Sequence, residues 1–213
     1  MKRILSILFA AAALSACLDV EPFLYRCLTM GFVKADGTFR ADDGRIYTFG
    51  DFMPDWNPGD RVLVVMDVKE AVNDSVYKAS NMSYSYPLHK KPVVVTAGNA
   101  EPDTLGLEEI CPSDLWYSGG YLNLSARIKI IEEAGRDFVN LMVDKRKESS
   151  DTLSVILKHR SDYDTGGGAY FIEYPFYATF PIREYMPAKD SVVLKVSWFW
   201  NGKSDSVTAK VEK

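Results

Sequence analysis

The feature that most constrains this chain is an alternation of apolar and other residues that runs from Tyr25 almost to the end of the sequence. Successive side chains of a β-strand point to opposite faces, so a period of two marks strands with one buried face. Stretches with helical spacing are scarce. The clearest apolar series is Leu122, Leu124, Ala126, Ile128 and Ile130. The sequence therefore predicts an all-β protein.

The first half, residues 25–97, predicts a small barrel. Turns rich in glycine, aspartate and proline separate five short segments with strand patterning, a number and size typical of an OB-like barrel. The fourth segment has one wholly apolar face, made of Val62, Val64, Met66 and Val68. The predicted strands cover residues 26–33, 38–41, 45–49, 61–69 and 76–86.

The second half, residues 105–213, predicts an antiparallel β-sandwich. Residues 98–104 are small, polar and turn-forming, which is typical of a linker between compact units. Beyond it, strands follow one another without helical segments, and Asn201-Gly202 is a strong hairpin signal. The strand before this turn places Trp198 and Trp200 on the same predicted buried face as Val192.

The first residues have the layout of a cleavable export signal. Lys2 and Arg3 precede an apolar run over residues 4–14, which is shorter than the roughly 20 residues that a membrane span needs. Ser15 and Ala16 then precede Cys17, the pattern of a lipobox. We expect residues 1–16 to be a signal peptide, Cys17 to carry the lipid, and residues 17–24 to form a tether.

This anchor sets the expected location. A diacylglyceryl thioether with further acylation, such as palmitate, holds a protein almost permanently, because each buried methylene contributes about 0.8 kcal/mol. The predicted partner is thus the membrane, reached through the lipid. We expect an outer-membrane lipoprotein facing the periplasm or displayed on the cell surface, and these two orientations stay open.

The charge of the chain disfavours a nucleic-acid partner. The net charge is −4, and cleavage after residue 16 removes two basic residues and no acidic one, which leaves about −6. A nucleic-acid binder would need a basic face to neutralise phosphates. No such patch is visible in the sequence.

No catalytic, metal-binding or cofactor-binding set is evident. The chain has two histidines, His89 and His159, and lacks a Gly-x-Ser-x-Gly elbow. Residues 162–173 have the spacing of a calcium loop, but strand patterning flanks them where an EF-hand needs helices. We therefore expect a glycine-rich hairpin loop there, no cofactor, and a non-enzymatic protein.

Two other features leave alternatives open. Cys27 and Cys111 form either a disulfide, which is stable outside the cytoplasm, or two buried free thiols. Trp116 and Tyr117 lie beside a Ser-Gly-Gly turn and are either core residues or an exposed platform on which a glycan or peptide stacks.

At this point the chain resembles the NigD-like lipoproteins of Bacteroidota. The resemblance implies an N-terminal OB-like domain and a C-terminal β-sandwich, and it brings no catalytic set. The most specific segment is Trp116-Tyr117-Ser118-Gly119-Gly120-Tyr121-Leu122-Asn123. The others are the lipobox ending at Cys17, Asp42-Asp43-Gly44, Gly59-Asp60-Arg61-Val62-Leu63-Val64 and Leu157-Lys158-His159-Arg160.

Three functions are compatible with the sequence. The first is an interaction or structural module of the cell envelope without enzymatic activity. The second is an accessory protein that binds a glycan or peptide through exposed aromatic residues. The third is self-protection against a bacteriocin, which rests on the family name alone.

Overall fold

The computed structural model of the chain describes residues 24–50, 55–96, 105–106, 108–131, 137–147, 149–162 and 171–212. Regular structure in these ranges consists of β-strands and short 3-10 turns, which confirms the predicted all-β class. The chain divides into two compact units. The first contains residues up to Pro58 and Leu63–Ser85, and the second contains Gly59–Val62 and Tyr86–Lys213.

The first unit is built on a closed five-stranded barrel, as predicted. Its strand order is β1-β2-β3-β5-β4, with β3 parallel to β5, and such barrels of five strands are typical of OB folds. The predicted apolar face of β4 is fully buried from Val62 to Val68. The strands are β1 (Tyr25–Val33), β2 (Phe39–Ala41), β3 (Ile46–Thr48), β4 (Arg61–Ala71) and β5 (Val76–Pro87).

The turn between β2 and β3 shows why the Asp42-Asp43-Gly44 segment takes its form. The Asp43 carboxylate accepts a hydrogen bond from the backbone amide of Arg45 at 3.0 Å, which closes an Asx turn. Gly44 has a φ of 90°, a left-handed conformation that side chains disfavour. The residues of this segment are therefore explained by the turn that they form.

The second unit is a sandwich of two sheets. One sheet has the order β14-β13-β11-β10-β7, and the other has the order β6-β12-β9-β8. The strands of this unit are β6 (His89–Lys90), β7 (Val93–Thr96), β8 (Ile110–Ser118), β9 (Tyr121–Ile131), β10 (Asp137–Asp144), β11 (Thr152–Ser161), β12 (Phe171–Pro181), β13 (Ser191–Trp200) and β14 (Lys203–Glu212). The 3-10 turn Lys145–Lys147 connects β10 to β11 within one sheet, and the 3-10 turn Arg183–Tyr185 lies between β12 and β13 of different sheets.

The core of the sandwich comes from the inward faces of both sheets. Leu122, Leu124 and Ile128 of β9 are buried, as their alternation predicts. On the other sheet, Val192 and Val196 of β13 are buried, and Trp198 packs against this core while remaining half-buried. The hydrophobic face of each sheet is thus covered by the other.

The sandwich is mixed rather than purely antiparallel. Antiparallel pairs predominate, but β7 runs parallel to β10, β11 parallel to β13, and β6 parallel to β12. Strand patterning reports which face is buried and carries no information on strand direction, so the sequence could not reveal these parallel pairs.

The division between the units lies earlier than predicted. Residues 86–97 were expected to belong to the barrel domain, yet the structure assigns Tyr86 onward to the second unit. The physical reason is that β6 and β7 hydrogen-bond to the sandwich strands β12 and β10. The linker predicted at residues 98–104 lies outside the described residues, as do the signal peptide, Cys17 and residues 163–170 of the calcium-like loop.

A helix with the length and apolar character needed to cross a membrane is not found in the described part of the chain.

Candidate functional site

Trp116 and Tyr117, the predicted stacking residues, are both half-buried in β8. Tyr117 packs against the sandwich core, and burial raises the pKa of its hydroxyl. Trp116 is its neighbour in the strand, so its ring points to the opposite face. The structure therefore does not bring the two rings onto one exposed platform.

Cys27 and Cys111 are free thiols rather than a disulfide, and both are half-buried rather than fully buried. Cys27 lies in β1 of the barrel unit, where burial raises the pKa of its thiol. Cys111 lies in β8 of the sandwich unit, and its sulfur accepts a contact from the Arg127 guanidinium at 3.7 Å. A raised pKa lowers thiolate content, so Cys27 is poorly suited to nucleophilic chemistry.

The two histidines occupy different environments within the sandwich unit. His89 is exposed in β6, whereas His159 is fully buried in β11, where its Nδ1 lies 3.0 Å from the Glu109 carbonyl oxygen. Among the described residues, no three His, Cys, Asp or Glu side chains come together as a metal site. His159 acts as a buried structural residue that joins β11 to the segment preceding β8.

A buried arginine organises a polar network inside the sandwich unit. Arg61 is only 1% exposed, although alternation places it on the face of β4 opposite the apolar residues Val62 and Val64. Its Nε donates to Asn123 Oδ1 and Thr179 Oγ1 at 3.2 Å each, and its Nη2 donates to Asn123 Oδ1 at 3.1 Å. Thr179 Oγ1 in turn donates to Asn123 Oδ1 at 2.9 Å.

The turn between β8 and β9 completes this network. Asn123 Nδ2 donates to Ser118 Oγ at 2.9 Å and to the Trp116 carbonyl at 3.2 Å. The guanidinium carbon of Arg61 lies 4.7 Å from the centre of the Tyr121 ring, a cation–π contact. Two of the segments that carry the resemblance, the one around Arg61 and the most specific one, from Trp116 to Asn123, thus meet in one buried network.

The Leu157-Lys158-His159-Arg160 segment also has a structural role. The His159 carbonyl accepts the backbone amide of Glu108 at 3.0 Å, and Gly106 approaches it so closely that a Cβ would lie 2.1 Å away. The guanidinium carbon of Arg160 lies 4.6 Å from the centre of the Phe138 ring. These contacts give His159 and Arg160 of this motif roles in packing and strand pairing.

A charged clamp holds the β13–β14 hairpin turn. The Glu109 carboxylate accepts Lys129 Nζ at 2.6 Å and the backbone amide of Gly202 at 3.0 Å. The same ammonium lies 5.0 Å from the centre of the Trp200 ring. These contacts, that with Lys129 foremost, hold the pKa of Glu109 below its ordinary value.

A groove of about 540 Å³, which we name the aromatic groove, opens on the outer face of the five-stranded sheet. The groove forms where the pairing between β11 and β13 ends. The last paired residues of these strands are Ile156 and Ser197, and further along β11 His159 pairs with Glu108 instead. The described lining residues are Glu108, Lys147, Ile156, Leu157, Lys158, Ser197, Trp198, Phe199 and Ser204. Phe199 is 39% exposed, a large fraction for a phenyl ring.

A second concavity of about 290 Å³, which we name the polar pocket, lies near the end of β10 and the start of β11. Its lining carries carboxylates, ammonium groups and hydroxyls over a smaller apolar base. The described polar residues are Asp144, Lys145, Lys147, Ser149, Thr152, Ser154, Glu184 and Tyr185. Sequence patterning gave no signal for either concavity, because each collects residues from segments far apart in the chain.

Comparison with known proteins identifies solved structures that have the same fold as this chain. No family model matches the chain, and no curated protein matches it. Among solved structures, a NigD-like immunity protein from Bacteroides caccae aligns with a TM-score of 0.57 over 88% of this chain and 97% of its own, at 14% identity. The chain has the fold of the NigD-like proteins. The resemblance stated from the sequence is thereby confirmed at the level of fold.

Other solved structures share this NigD-like fold. A protein of unknown function from Bacteroides vulgatus aligns with a TM-score of 0.70 and 15% identity, covering 89% of this chain and 92% of that one. A predicted lipoprotein from Bacteroides fragilis aligns with a TM-score of 0.63 and 10% identity, covering 88% and 98%. At such identities the shared property is the fold alone.

Proposed function

We propose that this chain is a non-enzymatic lipoprotein of the bacterial envelope that binds a partner protein through the aromatic groove. The observation that carries the proposal is the groove itself, an apolar opening on the sheet face that bears Phe199 and Ile156, and the same face also carries Val193 and Met142. Beside Phe199 and Ile156, that face presents Ser154, Lys195, Ser197, Ser206 and Thr208.

The groove suits a peptide segment with an apolar side chain. Ligand sites commonly have volumes of roughly 300–1,000 Å³, mostly apolar walls and a few polar groups that fix orientation. Here Ile156 and Phe199 provide the outward-facing apolar side chains, Leu157 and Trp198, whose side chains pack in the core, add to the lining, and charged residues also line the groove. Exposed aromatic residues are also enriched at the centres of protein interfaces, because they bury a large area with few rotatable bonds.

The envelope location is supported by the lipobox at Cys17 and by the fold relationship. One structure with this fold is that of a predicted lipoprotein, and another is that of a NigD-like immunity protein. We infer an outer-membrane anchor, with the folded units held beyond the membrane by the tether. Self-protection against a bacteriocin would be one form of this binding role, with the toxin as the partner.

In-cell photocrosslinking tests the groove. A benzophenone amino acid placed at Phe199 keeps an aromatic group in the groove, and one placed at Val207 is the matched control. Val207 is 42% exposed on β14 of the same unit and outside the groove. We expect a discrete heavier adduct from position 199 that is absent from position 207 and is lost when Ile156→Asp places a charge in the groove.

The opposite pattern would overturn the proposal. An absence of adduct at position 199, or equal adducts at both positions, would show that the groove is not the contact surface. The Ile156→Asp variant is checked by circular dichroism, since only a folded variant shows that the loss of adduct comes from the groove.

A further inference from the structure

The polar pocket has the chemistry of a ligand site different from that of the aromatic groove, with which it shares the lining residue Lys147. It lies among the end of β10, the start of β11 and the 3-10 turn Arg183–Tyr185. Its described lining combines groups that accept hydrogen bonds with groups that donate them. The groove has aromatic residues, Trp198 and Phe199, in its lining, whereas the pocket lining is richer in carboxylates and hydroxyls, so the two sites suit different ligands.

Asp144 is the most deeply buried of the charged residues that line the pocket. Its side chain is 1% exposed, and Lys147 Nζ lies 3.9 Å from its Oδ2. The ammonium and the carboxylate therefore compensate each other, and a ligand does not need a net charge to enter. A buried carboxylate is also a strong and well-oriented acceptor for hydroxyl protons.

The rim and the wall add further hydrogen-bonding groups. The Tyr185 hydroxyl donates to the Glu184 carboxylate, and burial is the main cause of its raised pKa, so this hydroxyl stays protonated at neutral pH. Thr152 and Ser154 of β11 contribute hydroxyls, each of which both donates and accepts. The pocket thus offers acceptors and donors at several positions around one small volume.

The lining argues against several ligand classes. Two carboxylates disfavour a phosphate or another anion, and the ammonium groups of Lys145 and Lys147 disfavour a metal cation. A purely apolar ligand would strip water from polar groups without replacing their hydrogen bonds. A neutral molecule with many hydroxyls meets these requirements, since each hydroxyl can donate to a carboxylate and accept from an ammonium.

The base of the pocket fits the same class. Leu153, Met186 and Pro187 line it as an apolar patch, of which half-buried Pro187 is the most accessible part, because Leu153 and Met186 are only 3% and 5% exposed. A pyranose ring has an apolar face of C–H groups and a periphery of hydroxyls, so it can satisfy the patch and the polar groups together. We propose that the polar pocket binds a neutral saccharide, with Asp144 and Glu184 accepting hydrogen bonds from its hydroxyls.

A titration tests this proposal directly. The full chain, purified from membranes in a detergent without a sugar headgroup, is titrated with D-glucose, D-galactose, D-mannose and N-acetyl-D-glucosamine under saturation-transfer NMR. We expect saturable binding of at least one of them. Asp144→Asn and Glu184→Gln should each weaken it about tenfold or more, because each removes a charged acceptor.

Matched variants separate this site from its surroundings. Asp205→Asn removes an exposed carboxylate of β14 outside the pocket and should leave saccharide affinity within about twofold. Phe199→Ala should also leave it unchanged, since that ring lies in the aromatic groove. Glu184 is exposed, so its variant is expected to fold even if the Asp144 variant does not.

Three results would overturn the proposal: no saturable binding of any of the four sugars, binding that Glu184→Gln leaves unchanged, or tighter binding of zwitterionic glycine or inorganic phosphate than of every sugar.

Discussion

At the scale of single residues, Arg61 is the side chain on which the sandwich unit depends most. We predict that Arg61→Ala lowers the free energy of unfolding by roughly 3 kcal/mol, because it removes the guanidinium donor from the buried side chains of Asn123 and Thr179 and opens a cavity. Urea unfolding monitored by circular dichroism measures the change.

The matched control for that prediction is Arg127→Ala. Arg127 forms an exposed ion pair with Glu173 at 2.7 Å, and surface pairs of this kind contribute about 0–1 kcal/mol. If the two variants lose equal stability, the buried network does not have the role assigned to it.

Glu109 should make stability depend on pH. Its folded-state pKa lies below its ordinary value of 4.5, so its contribution is present above that value and is lost as the pH falls through the folded pKa. Glu109→Gln should therefore lose less stability than the parent chain when urea unfolding is repeated at about pH 7 and pH 3.5. An unchanged pH dependence in the variant would contradict the stabilising role assigned to the Glu109 carboxylate.

The residues of the Arg61 network show the limit of sequence patterning at this scale. Alternation correctly placed Arg61 and Asn123 opposite the apolar faces of their strands. It could not show that this second face is covered at these positions, because a buried hydrogen-bonded network and a solvated surface have the same polar composition. The two concavities were missed for a related reason, since alternation does not report which distant segments meet.

At the scale of elements, β14 should be the least protected strand of the sandwich. It has β13 as its single strand neighbour, and nearly all its described residues are exposed, including Val207 on the inward side. Hydrogen exchange followed by mass spectrometry should show faster exchange in Lys203–Glu212 than in Tyr121–Ile131, which has neighbours on both sides.

Equal protection of these two peptides would mean that the outer edge and face of β14 are covered in solution. Exposed edges are sites where strands of other chains can pair, so the chain should then be examined for self-association. Lys203 and Lys210 on this strand are the kind of charged residue that discourages such pairing.

Strand patterning predicted the elements of the barrel well and those at the start of the sandwich less well. The five barrel segments alternate clearly and are separated by turn residues, so their positions were predicted to within about two residues. By contrast, β6 and β7 are short, and their partners β12 and β10 lie much further along the chain. Their assignment depends on long-range pairing, which local patterning does not contain.

At the scale of the whole molecule, we propose an anchored chain whose sandwich unit presents two ligand surfaces. The barrel and the sandwich each have their own buried residues, and the fold is that of the NigD-like proteins. The proposed anchor, Cys17, lies outside the described residues, so the claim that the protein works at a membrane needs its own experiment.

The most direct test of that claim is metabolic labelling with radioactive palmitate, followed by membrane fractionation, of the parent chain and Cys17→Ala, with Cys27→Ala as the control. The account predicts label and membrane association for the parent and for Cys27→Ala. It predicts loss of label, and release of any exported protein from the membrane, for Cys17→Ala. A Cys17→Ala protein that is still labelled and membrane-bound would contradict it.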